Sequence, residues 1–85
     1  MAVELTKPKF DEFVLVALTT DLPIYRLRAG DIGTVVDTVH QGQAYVIEFI
    51  TLLGKTVAVV EVSPEAIRRV EPDEIANARP LQVGV

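Results

Sequence analysis

Two glycines three positions apart open the segment Gly30-Asp31-Ile32-Gly33-Thr34-Val35-Val36, and no other stretch constrains the fold as much. A β-branched run entered this way is a strand preceded by a tight turn and bent near its start. Gly30 supplies the positive φ of the turn, and the Asp31 side chain can hydrogen-bond the turn's own backbone. At Gly33 a close backbone approach or a bulge becomes sterically free. Gly30, Asp31 and Gly33 are therefore structural turn residues, and the run from Thr34 onward is β.

The remaining apolar segments obey the same short period. Phe13 to Leu18 is a brief continuous run between Asp11-Glu12 and Thr19-Thr20-Asp21, which predicts a buried first strand. Ile32 to Val39 is the second strand, and Gln41-Gly42-Gln43 the hairpin connection. Ala44 to Ile50 is the third, with Tyr45, Ile47 and Phe49 on one face and Glu48 on the other. After the Thr51–Lys55 turn, the β-branched run Thr56 to Val62 is the fourth. Ser63-Pro64-Glu65-Ala66 predicts a single 3₁₀ turn capped by Ser63, with Pro64 at its first position, before a last short strand from Arg68 to Glu71. Between the first two strands, Thr19 to Gly30 alternates nowhere and reads as a long folded-over loop carrying Pro23, Tyr25, Arg26 and Arg28.

Eighty-five residues allow one domain, and Val, Ile, Leu and Phe fill 31 of the 85 positions, too many for a disordered chain. We place an N-terminal arm at 1–9, the β domain at 10–71 and a C-terminal tail at 72–85, where Leu81, Val83 and Val85 alternate and could add an edge strand. With no cysteine there is neither a disulfide framework nor a thiolate metal site. The start Met1-Ala2-Val3-Glu4-Leu5 is neither basic nor continued by a long apolar run. It predicts no signal peptide and no membrane span, and so cytoplasmic residence.

Chemistry-bearing constellations are sparse. His40 is the single histidine and sits beside a hairpin turn, and Ser63 has no base near it in sequence. No catalytic residue, cofactor or metal ligand is assigned, and we expect no enzyme. The carboxylates of Asp11-Glu12 and Asp73-Glu74 are adjacent in extended chain and point apart. Gly30-Asp31-Ile32-Gly33 has the outline of a phosphate-binding loop, but it leads into a strand and not a helix.

A formal charge of −4 with eight Lys and Arg disfavours a surface that tracks phosphates, so nucleic acid is not the expected partner. A protein is. If Glu48 and Glu61 point outward, Ala58, Val60 and Val62 fill the core, and Val46, Ile50, Val57 and Val59 are left outside. Burying each such side chain is worth about 1.5–3 kcal/mol, so a partner or a second copy would cover them, unless the C-terminal tail folds across. The expected partner-binding residues are Tyr25, Arg26 and Arg28 on the loop and Val46, Glu48, Val57, Val59 and Glu61 on the third and fourth strands.

From Phe13 to Val70 the chain resembles the family known as domain of unknown function 4926. The likeness is carried by Val14, Leu15, Asp21-Leu22-Pro23, Gly30-Asp31-Ile32-Gly33-Thr34-Val35-Val36, Tyr45-Val46-Ile47-Glu48-Phe49, Gly54 and Thr56. The resemblance implies an all-β fold, a small SH3-like, partly open five-stranded barrel in a bacterial stand-alone protein without enzymatic assignment. It also implies a gene product paired with a neighbouring one, as in toxin–antitoxin or immunity-type modules. Glycine-led strand entries occur in KOW modules as well, and they supply the alternative of an RNA or ribosome contact through Arg26, Arg28, Arg68 and Arg69.

Overall fold

The computed structural model describes residues 9–81. It is all-β: one antiparallel sheet of five strands, β1 (Leu15–Leu18), β2 (Ile32–Val39), β3 (Ala44–Ile50), β4 (Thr56–Val62) and β5 (Ile67–Arg69). Their order in space is β4-β3-β2-β1-β5, and the sheet does not close, so β4 and β5 are its two edges. Two 3₁₀ turns complete the fold, Pro23–Tyr25 in the long loop and Pro64–Ala66 before β5. Among the described residues no helix is long and apolar enough to cross a membrane.

The alternation of β3 sets the core. Tyr45, Ile47 and Phe49 are buried, facing Val35 of β2, Val60 and Val62 of β4, and Val16 and Leu18 of β1. Tyr45 is wholly enclosed, and its hydroxyl accepts the backbone N–H of Lys9 (2.7 Å) and of Phe10 (3.2 Å). A buried phenol needs such partners. Phe10 meets the Tyr45 ring edge-to-face at 5.2 Å, which brings the chain's entry to the β domain into its core.

Gly33 is required by contact. A Cβ there would lie 2.5 Å from Ile47 Cγ2 and 2.9 Å from the Glu48 carbonyl oxygen, so only glycine lets β2 pass β3 this closely. The expected bend falls three residues later, where a bulge at Val36 shifts the β2–β3 register between Val35 and Asp37. Gly30 has φ +94°, and Asp31 Oδ2 accepts the Arg28 amide at 2.7 Å, the turn chemistry the sequence implies.

Several boundaries differ from the sequence reading. β1 starts at Leu15, because Phe13 adopts φ 68°, donates its amide to the Val35 carbonyl and leaves its ring 75 % exposed. Phe10, not Phe13, fills the core. The β2–β3 connection is also broader than expected: His40, Gln41 and Gly42 all have positive φ. Ser63 makes no side-chain cap; its carbonyl accepts the Ala66 amide at 3.0 Å and closes the 3₁₀ turn through backbone alone. The last strand is Ile67–Arg69 and not Arg68–Glu71, since Ile67 is pulled into the core opposite Leu18.

The tail from Pro72 to Leu81 forms no strand. It returns along the domain on two ion pairs, Arg68–Glu74 and Arg79–Asp31. The alternation of Val83 and Val85 lies outside the described residues, as does nearly all of the N-terminal arm.

Candidate functional site

The predicted partner residues, Arg28 excepted, divide between two surfaces. On the outer face of the β3–β4 hairpin, Val46 stands directly opposite Glu61, and Glu48 opposite Val59. Each acid therefore neighbours a valine across the strands. Asp37 of β2 pairs with Val46 and adds a third acid to this face. Val59 is 55 % exposed, and Ile50 is similarly open at the end of β3. In the turn beyond, Leu52 and Leu53 are 96 % and 97 % exposed. The hairpin thus carries an acidic, apolar outer face that ends in a bare aliphatic tip.

Val57 does not belong to that face. Phe49 pairs with Ala58 and Ile50 with Thr56, so Val57 is the extra residue of a bulge and packs partly against the core. Its expected exposure is corrected on that ground: a bulge breaks the period of two that placed it outside. Ala58, expected in the core, is only partly buried.

The second surface is an open groove of about 440 Å³ between the start of β4 and the Thr19–Gly30 loop. Tyr25, Arg26 and Val57 line it, joined by Ile24, Lys55 and Leu81, with the hydroxyls of Thr51 and Thr56 at its margin. The loop that forms one wall is a folded unit. Leu22 and Leu27 bridge each other, Leu27 is buried, and the Pro23–Tyr25 turn ends on Arg26 in the left-handed region at φ 61°. Proline at the first turn position and a left-handed terminal residue close the turn tightly and leave Ile24 and Tyr25 outermost. Arg28 lies beyond Leu27 and does not line the groove.

Charge in the groove is one-sided. Arg26 and Lys55 are its only charged lining residues, and among the described residues neither side chain makes an ion pair or hydrogen bond. Thr51 and Thr56 are already engaged. Thr51 Oγ1 accepts the Lys55 amide at 3.1 Å, and the Thr56 hydroxyl donates to Glu48 at 2.9 Å, which ties the groove's margin to the outer face.

Arg79 fastens the far wall. Its Nε donates to Asp31 Oδ1 at 2.8 Å, and its Nη2 donates to Asp31 Oδ2 and to the Arg26 carbonyl, the latter at 2.9 Å. Burial pushes the Asp31 carboxyl up. The Arg79 hydrogen bonds, the Arg28 amide and the charges of both arginines outweigh that effect and hold it below its ordinary value. The same contact raises the Arg79 guanidinium. No sequence pattern signals this pair, whose members are 48 residues apart. Arg68 makes a two-pronged contact with Glu74, at 2.8 Å on both prongs, and together with the Glu71 amide, 2.7 Å from Glu74 Oε1, it pulls that carboxyl down to about 2. Arg69 stacks on the Phe10 ring. His40 is exposed at the β2–β3 turn and does not line the groove.

Lys55, Ile24 and Leu81 are the groove residues that sequence reasoning passed over. A readable signal existed only for the turn that holds Lys55: Ile50-Thr51-Leu52-Leu53-Gly54 places aliphatic residues where a turn ordinarily carries polar ones.

No curated protein and no solved structure matches the chain. A family model does match, over residues 12–69, which takes in all five strands, the glycine-led entry to β2 and the loop wall of the groove. By that match the chain belongs to the family described as Domain of unknown function (DUF4926).

Proposed function

We propose that this protein is a non-enzymatic binding module that holds a cognate protein partner through the β3–β4 hairpin and the Thr19–Gly30 loop. The observation that carries the reading is the aliphatic tip and outer face: Leu52 and Leu53 stand fully open to solvent and Ile50 and Val59 half open on one hairpin, although full burial of each leucine would gain about 1.5–3 kcal/mol. Apolar patches of this kind, rimmed by polar groups, mark interaction sites. Glu48 and Glu61, each opposite a valine, would fix the register against basic groups of the partner. An accessory, antitoxin or immunity-like role in the cytoplasm fits such a module, and a second copy of the chain is the other occupant this surface would accept.

The alternative of an RNA contact has less to draw on. Of its four arginines, Arg68 is paired with Glu74 and Arg69 lies on Phe10, and three acids stand on the outer face of the sheet. Phosphate binding needs several free cations acting together.

The test is direct. The partner is captured from native lysate with the tagged protein, identified by mass spectrometry, purified and titrated against wild type and a Val59→Lys/Leu52→Lys variant. Both positions are exposed, so circular dichroism should be unchanged while affinity falls at least tenfold. Equal affinity of the variant would remove the proposal.

A further inference from the structure

Three features meet at the groove and nowhere else among the described residues. β4 is an edge strand of seven residues with one neighbour, β3, so every second residue of its backbone presents unpaired N–H and C=O groups on the other side. Facing its start are the apolar side chains Ile24, Tyr25 and Leu81. Arg26 and Lys55 are the charged residues of the groove's lining, in a chain whose net charge is −4, and the nearby Glu48 carboxylate at the margin is occupied by the Thr56 hydroxyl. A free strand edge recognises extended backbone, apolar walls recognise alternate side chains, and an isolated pair of cations recognises carboxylates.

We infer that the groove binds an extended, acidic segment of a partner protein, one that alternates apolar and carboxylate side chains and adds to the sheet as a sixth strand beside β4. The apolar side chains pack against Ile24, Tyr25 and Val57. The carboxylates reach Arg26 and Lys55. This deepens the reading of the protein as a binding module and rests on it, adding to the outer face a second contact at the groove. The outer face is itself acidic, with Asp37, Glu48 and Glu61, and would repel the same segment, so the two surfaces select different chemistries. Arg79 contributes indirectly: by holding Asp31 and the Arg26 carbonyl it fixes the wall that carries Arg26 and brings Leu81 to the groove.

The probe is a fluorescent ten-residue peptide of alternating valine and glutamate, with three controls: lysine in place of glutamate, glutamine in place of glutamate, and the glutamate peptide N-methylated at alternate residues. Fluorescence anisotropy with the full chain should rank the glutamate peptide at least tenfold tighter than the lysine and N-methyl peptides, with affinity falling as salt rises. Amide exchange across Thr56–Val62 should slow when it binds. R26Q/K55Q changes two exposed side chains and should weaken the glutamate peptide about tenfold, bringing it level with the glutamine peptide. Equal binding of the glutamate and lysine peptides, unchanged exchange in β4, or full binding by R26Q/K55Q would each overturn the assignment. If the natural partner is lost with Val59→Lys/Leu52→Lys yet kept with R26Q/K55Q, the groove fails and the binding module stands. Loss with neither variant removes both.

Discussion

Arg79 closes on Asp31 with two nitrogens against two oxygens, and its second arm also reaches the Arg26 carbonyl, so one side chain binds the tail to both the turn and the loop. The pair is about four-fifths shielded from solvent, which makes it more than a screened surface contact. Replacing Arg79 by Gln should lower stability by about 1–2 kcal/mol, read by urea denaturation. The same variant should admit protease between Pro72 and Leu81 well before the sheet is cut. A tail that remains equally resistant would show that something other than this contact holds it.

Acid should act through the same carboxylates. Asp31 titrates below its ordinary 3.8 in the folded protein, and Glu74 is drawn from 4.5 to about 2. Groups lowered by folding stabilise the native state above their unfolded values, and the benefit is lost as pH falls toward the folded ones. Wild-type stability should therefore decline between about pH 4.5 and pH 2. R68Q/R79Q should show a shallower decline over that interval, measured by thermal unfolding at stepped pH.

The two glycines of the β2 entry should respond differently to alanine. At Gly33 the added methyl meets the Glu48 carbonyl, which cannot move without disturbing β3, and the cost should be on the order of 1–3 kcal/mol. At Gly30 nothing lies within 4 Å, and only the backbone at φ +94° is strained, for about 1 kcal/mol. Chemical denaturation of both variants gives the order directly.

Tyr45→Phe keeps the ring and removes one oxygen. The amides of Lys9 and Phe10 then lose their acceptor, and that of Phe10 is buried, so about 1–3 kcal/mol should be lost without a cavity. Amide exchange at Phe10 should accelerate far more than at Ile47, which reports on the core itself.

The sheet is readable from sequence because period two and turn chemistry are local. β2, β3 and β4 lie where their β-branched and alternating residues place them, and the 3₁₀ turn before the last strand follows from Pro64. Phe13 and Val57 escape such a reading because a left-handed residue and a bulge reset the side-chain face without altering residue type. The groove is only half legible. Tyr25 and Arg26 stand on a loop whose length invites function, whereas Lys55 and Leu81 join them through a hairpin tip and a returning tail, contacts that no local pattern encodes.

The open margin of β4 carries a further implication for handling the protein. Thr56 to Val62 contains no lysine and no proline, and Glu61 is the lone charge that would discourage another chain from stacking there. Natural sheets usually guard such a border with several gatekeepers. Stored concentrated, this molecule should lengthen into ribbons, and a segment seated on that border as proposed would also guard it against fibril growth.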